Sequence, residues 1–144
     1  MAAVLAAFFA PGMALPVVPR HVHDTLGHGT VIVGVVMGAQ FIAALLVGRL
    51  LAGSMVDGRG PKLAMRVGLV GISAVGGVYF ASLALIERAT PSLLVLIGGR
   101  LLTGVAEALV ITAGLAGGIV RLGPEHSGKG VGWVGMALVA GYAP

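Results

Sequence analysis

The chain contains no cysteine, which excludes a disulfide framework, a thiol nucleophile and any Cys-based metal site. Charge is nearly as scarce. Asp, Glu, Lys and Arg together make up 10% of the 144 residues, against about a quarter in an ordinary soluble domain, so that class is excluded as well. There is no nucleophile, triad or paired-carboxylate arrangement, and the sequence does not read as an enzyme. Glycine is abundant, at 25 residues, but without a collagen-like period or polar low-complexity tracts. It therefore signals close helix contacts rather than disorder.

Hydrophobicity takes the place of charge, with 58% hydrophobic residues and a mean hydropathy of +1.06. This is the composition of a membrane protein. A net charge of +4 would suggest nucleic acid in a soluble protein, but here the basic residues flank apolar runs. The positive-inside rule accounts for them, and no nucleic-acid partner is expected.

The apolar runs predict an all-α, polytopic helix bundle with helices over about residues 2–18, 30–54, 63–86, 91–120 and 131–144. The first run has no basic n-region. Pro11, Pro16 and Pro19 stand where a secretory signal needs a plain helix and a small-residue cleavage site, so it reads as a kinked spanning helix. In the second, Gly34 and Gly38 form a GxxxG pair suited to close helix approach. Thr90 and Pro91 are the expected cap and first position of the fourth helix. The fifth run stops at Pro144 after 14 residues, about 21 Å of helix against a hydrocarbon core of about 30 Å. The expectation is an incomplete fifth helix and a chain that is cut rather than finished.

The longest interruption of hydrophobicity is GRLLAGSMVDGRGPK, residues 48–62. Asp57, Arg59 and Lys62 lie there among Gly53, Gly58, Gly60 and Pro61, which predicts a short hairpin loop between two membrane-length helices. Arg59, Lys62, Arg66, Arg121 and Lys129 fall on this side of the bundle, and only Arg20 and Arg88 on the other. That imbalance places the N-terminus and the Asp57 loop in the cytoplasm.

Arg100 lies inside the fourth apolar run, where a charge costs at least ~2.5–3.5 kcal/mol on insertion scales. It must face a cavity or a partner. Thr103 and Glu107 share its side of the helix, with Glu107 about 10.5 Å along the axis, so the two charges make a polar stripe rather than a direct pair. Beside the stripe, Gly104, Ala108, Thr112 and Ala116 form a small-residue ridge. Arg100 and Glu107 either line a substrate or proton path or act as interhelical ties. Gln40, midway along the second helix, is either a substrate contact or packing glue.

Two further motifs are set aside. GPEHSGKG, residues 123–130, is one residue short of a phosphate loop, with Gly130 where Ser or Thr should hold magnesium and Pro124 removing a backbone donor. His21, His23, Asp24 and His28 could in principle gather a metal, but loop histidines without a fixed partner are more often plain polar residues. Neither a cofactor nor a bound metal is expected.

GSMVDGRGPK, residues 53–62, resembles the signature loop between the second and third helices of the major facilitator superfamily, GxxxD(R/K)xG(R/K)(R/K). Gly53, Asp57, Gly60 and Lys62 match it; Gly58 replaces a base, with Arg59 one position later, and Pro61 replaces the first of the terminal pair. GRLLTGVAEAL (99–109) resembles the family's fourth-helix signature, in which an intramembrane arginine is tied to proton coupling. SGKGVGWVGMA followed by GYAP resembles the start of the fifth helix, with Gly141 and Pro144 opening the antiporter glycine–proline motif. LPVVPRHVHDTLG (15–27) and VGVVMGAQFIAALLVGRLLAG (33–53) are similar to a branch of bacterial permeases of the YhhS type, described as arabinose-efflux-like or drug:proton antiporters.

The resemblance implies the first part of a twelve-helix inner-membrane transporter that exports a small sugar- or drug-like molecule against protons by alternating access. Arg100, Glu107, Gln40 and Thr103 would serve the proton and substrate path, and Gly53, Asp57, Arg59, Gly60 and Lys62 the gate. The C-terminal half of the transporter would be the missing partner. Two alternatives are a truncated, non-transporting membrane fragment or assembly partner, and a small homo-oligomeric channel.

Overall fold

The computed structural model describes residues 2–142. Six α-helices follow one another: α1 (Ala2–Arg20), α2 (Thr30–Val47), α3 (Gly53–Arg59), α4 (Pro61–Ala84), α5 (Ala89–Leu122) and α6 (Ser127–Tyr142). Two π turns extend this framework, His21–Thr25 at the end of α1 and Gly48–Ala52 between α2 and α3. Four helices are long and apolar enough to cross a membrane, spanning Val4–Thr25, Thr30–Val47, Pro61–Ala84 and Ala89–Arg121. The protein is a multi-pass membrane helix bundle. The 16 residues of α6 reach only about 24 Å at 1.5 Å per residue.

Helix α5 is the axis of the bundle. Half of its apolar span is buried, against under a quarter for α2 and α4. It packs most extensively against α4 and next against α2, while α1 lies against α6. Three apolar clusters follow its length, and α5 contributes to each. Val4 and Phe8 of α1, Ile72 of α4 and Val134 of α6 close on Ala106 and Val110. Val18, Val22 and Val36 gather at Leu96, and Ala52 and Ala64 meet Leu109 and Ala113. Ser82 and Ser92 clasp the α4–α5 turn from inside: each hydroxyl donates to the other residue's carbonyl, at 3.1 and 2.8 Å, with the two oxygens 2.9 Å apart.

Several expected boundaries move. Residues 48–62 do not form an open loop, because the helix runs on through the π turn and α3 and stops only at Gly60. A chain leaving a bilayer satisfies its backbone groups most simply by staying helical, and a helical glycine costs only about 1 kcal/mol, so Gly53 and Gly58 do not break it. Gly60 does, with φ 84° and ψ 157°, a region closed to side chains, and Pro61 without its N–H starts α4 at once. Gly123 repeats the device at the end of α5, with φ 83° and ψ 156° ahead of Pro124.

The polar stretch from Arg20 is likewise helical as far as Thr25, and α4 runs from Pro61 to Ala84 rather than over 63–86. Helix α5 starts at Ala89, so Thr90 is inside it rather than its cap, and Pro91 still falls in the first turn, where no N–H is required. Helix α6 begins at Ser127, ahead of the expected Val131. Of the glycine–proline motif, Pro144 lies outside the described residues. Gly34 and Gly38 face open space. The close approaches fall elsewhere, where a Cβ on Gly104 would run into the backbone carbonyl of Gln40 and one on Gly48 would sit 2.6 Å from Ala108 Cβ.

Candidate functional site

Gly104 and Ala108 lie on the ridge of α5 that meets α2, and their small size sets how near the two backbones come. Because Gly104 sits between Arg100 and Glu107 on one helix face, this approach delivers Gln40 between the two charges. The Arg100 guanidinium, fully buried, donates through Nη1 to Gln40 Oε1 at 2.8 Å and through Nη2 to Met37 Sδ at 3.1 Å. On the other side of the amide, Gln40 Nε2 donates to Glu107 Oε2 at 2.7 Å and lies 3.2 Å from the Tyr142 hydroxyl. Tyr142 completes the chain by donating its hydroxyl proton to Glu107 Oε1. Its ring packs against Phe8 at 5.6 Å, which ties α1 to the same group.

The result is a continuous relay, Arg100–Gln40–Glu107–Tyr142, carried by α5, α2 and α6. Arg100 and Glu107 balance in charge without touching, as their separation along the helix requires. One amide serves both ends, and only one of its two orientations works, oxygen toward the guanidinium and nitrogen toward the carboxylate. The guanidinium is nevertheless under-supplied. Of its five N–H donors, one goes to the amide and one to a weak thioether acceptor, and Nε has no partner among the described residues. Breaking such a buried arrangement by deleting one charge leaves the other uncompensated, at a cost of about 3–5 kcal/mol.

Thr103 does not join the relay. Its hydroxyl donates to the Gly99 carbonyl at 2.8 Å and lies 3.5 Å from the Tyr79 hydroxyl, on the α4 side. There it borders a pocket of about 350 Å³ between α1, α4 and α5. The charged side chains of the turn stand apart from both sites, whereas Gly53 borders an open groove of about 780 Å³ that Glu107 and Tyr142 also line. Asp57 and Arg59 are exposed on α3, Lys62 is exposed on the first turn of α4, and Gly53 faces open space. Among the described residues, no side-chain hydrogen bond or ion pair involves Asp57. At the opposite end, His23 Nδ1 lies 3.0 Å from the His28 carbonyl. No group of three or more His, Asp or Glu side chains is placed to hold a metal among the described residues.

Tyr142 and Met37 are the members that sequence reasoning passes over. A hydroxyl in an apolar run is the signal that points to the first. Both tyrosines of the chain bring their hydroxyls to polar groups of α5, Tyr142 to Glu107 and Tyr79 to Thr103. Met37 carries no such signal, since its sulfur is recruited only by its place one turn before Gln40.

No protein-family model and no solved structure matches the chain. Curated relatives do. An uncharacterised MFS-type transporter of Pseudomonas aeruginosa is 42% identical over 132 residues, covering 92% of this chain and 33% of the relative. One from Burkholderia pseudomallei is 33% identical over the same length, covering 32% of the relative, and one from Burkholderia mallei is 33% identical with the same coverage. Over nearly all of its length the chain is homologous to transporters of the MFS type, which are carriers rather than enzymes, and it spans about a third of the length of the curated relatives it matches.

Proposed function

We propose that the chain is the N-terminal portion of a secondary transporter in a bacterial inner membrane that exports a small organic molecule, coupled to protons, by alternating access. The observation that carries this reading is the buried relay Arg100–Gln40–Glu107–Tyr142, whose two charges and bridging amide lie inside membrane-length helices, where ionisable groups mark substrate and proton paths. A tie needed only for packing could be made from neutral amides and hydroxyls at lower desolvation cost. In this reading the N-terminus and the Asp57 turn are cytoplasmic, as the distribution of basic residues supports. Gly53, Asp57, Arg59, Gly60 and Lys62 form the gate: Gly53 leaves room for a helix to approach, and the exposed Asp57 is free to meet the positive N-terminal end of that helix. Arg100 and Glu107 serve the proton path, with Gln40 and Thr103 beside them.

The test is solute-driven proton flux by the complete gene product that carries these residues, in inverted membrane vesicles with arabinose and ethidium as probes. The expected result is proton release from acid-loaded vesicles on addition of one probe, reduced about tenfold or more by Arg100→Ala, and reduced with retained folding by Asp57→Asn. Normal flux with unchanged pH dependence in either variant removes the role assigned to that residue.

A further inference from the structure

The pocket of about 350 Å³ between α1, α4 and α5 lies at the lower end of the range of about 300–1,000 Å³ typical of small-molecule sites. Ala7 and Pro11 of α1 with Ile72 and Val75 of α4 give it apolar walls, and the polar side chains that line it are three hydroxyls, Ser73 and Tyr79 of α4 and Thr103 of α5. We propose that this pocket binds a compact, uncharged hydrocarbon bearing one hydroxyl, which accepts a hydrogen bond from Tyr79 and donates one to Thr103. The site is separate from the relay, because none of Arg100, Gln40, Glu107 and Tyr142 lines it, and the proposal does not depend on the carrier reading.

Three observations select that class. The first is charge. Among the described residues no acidic, basic or imidazole side chain lines the pocket, so an ion brought there would lose its hydration with nothing to balance it. The second is an unspent proton. Ser73 and Thr103 donate theirs to carbonyls of their own helices, Leu69 at 2.9 Å and Gly99 at 2.8 Å, and keep only acceptor capacity. The Tyr79 hydroxyl has a single partner among the described residues, Thr103 Oγ1 at 3.5 Å, beyond the reach of about 2.5–3.0 Å that a good O–H···O bond has. One ligand hydroxyl between these two oxygens accepts the Tyr79 proton and gives its own to Thr103, whereas the further hydroxyls of a sugar would meet apolar walls. The third is that Tyr79 is held in place. A Cβ on Gly99 would come within 2.7 Å of the Tyr79 ring, so the ring rests on bare α5 backbone and its hydroxyl is fixed beside Thr103, one turn further on. On α4, a Cβ on Gly76 would meet nothing within 4 Å, which keeps the space between Ser73 and Tyr79 open.

The experiment is equilibrium binding to the complete gene product in lipid nanodiscs, with thymol as probe, p-cymene as the same molecule without its hydroxyl, and protein-free nanodiscs to subtract partition into lipid. Saturable binding of thymol is expected, weakened about two- to tenfold by Tyr79→Phe and by a similar factor when p-cymene replaces thymol. Gly76→Leu, whose side chain enters the pocket from a position where the Cβ meets no clash, should abolish binding. Leu45→Trp, on the wall of the separate groove that Glu107 and Tyr142 line, should bind as the parent does. Should Gly76→Leu fail to fold, Tyr79→Phe removes a single oxygen and carries the test alone. Absence of saturable thymol binding, equal affinity for thymol and p-cymene, full binding by Tyr79→Phe or Gly76→Leu, or loss of binding in a folded Leu45→Trp each overturns the proposal.

Discussion

Gly104 lies directly against the backbone carbonyl of Gln40, so a glycine of α5 fixes the distance at which the Gln40 side chain meets Arg100 on one side and Glu107 on the other. The polar relay therefore depends on a contact that contains no side chain on the α5 face. This makes the glycine as sensitive a site as the charges it serves.

Gly104→Ala should push α2 away from α5 and cost about 1–3 kcal/mol through overpacking. Gly38→Ala, where the added methyl meets nothing within 4 Å, should be neutral or gain up to about 1 kcal/mol from helix propensity. Thermal unfolding of the two variants in detergent separates them. Equal melting temperatures would show that the α2–α5 approach is not set at Gly104.

Gln40→Ala leaves a buried guanidinium N–H and a carboxylate oxygen without their partner, and each orphaned group costs about 1–3 kcal/mol. Combined with Glu107→Gln, which removes one of the charges the amide bridges, the effects should be non-additive by about 0.5–3 kcal/mol in a double-mutant cycle. Simple additivity in unfolding measurements would mean that the amide and the carboxylate are energetically independent.

Ser82→Ala and Ser92→Ala should each destabilise the α4–α5 hairpin by about 1 kcal/mol, because each removes one member of a reciprocal pair. The double variant should cost less than the two single effects added, since it removes both hydroxyls together. Melting temperatures of the three proteins check this.

Gly60→Ala and Gly123→Ala force a side chain into a backbone region open essentially to glycine, and each should lose about 1–3 kcal/mol. Gly58→Ala, at the penultimate residue of α3 with open space around it, should lose nothing. If all three behave alike in chemical or thermal unfolding, the turn at Gly60 is looser than its dihedral angles imply.

The absence of cysteine gives single-cysteine labelling a clean background. Asp57→Cys, at an exposed position, should react with a membrane-impermeant maleimide only from the cytoplasmic side, and His23→Cys, also exposed, only from outside. The opposite pattern would invert the orientation inferred from the basic residues.

Hydropathy made the spanning segments legible, because twenty or so apolar residues have few other fates. Helix ends were harder to place. Gly53, Gly58, Gly60 and Pro61 read together as a loop, yet only Gly60 takes a non-helical conformation, since a glycine breaks a helix only where the path of the chain requires it. The same ambiguity hid the close approach of α2 to α5: with 25 glycines, the motif at Gly34 and Gly38 looked as promising as Gly104, and only the placement of the two helices tells them apart. Arg100 and Glu107 were visible because charge is expensive in lipid. That Gln40 joins them, and that Tyr142, 35 residues downstream of Glu107, closes the chain, depends on tertiary packing.

The π turn at Gly48–Ala52 also governs which length changes the chain can absorb. A turn with i→i+5 bonds holds one more residue than an α turn. Deleting a single residue there would restore α geometry, and because the wider turn is what absorbs the extra residue, the helix beyond it would keep its direction and Asp57 its side of the bundle. The same deletion one turn away, in regular α geometry, would rotate everything beyond it by about 100° around the helix axis and carry Asp57 with it. The π turn is therefore the place in this stretch where the chain can lose one residue without reorienting the charged turn.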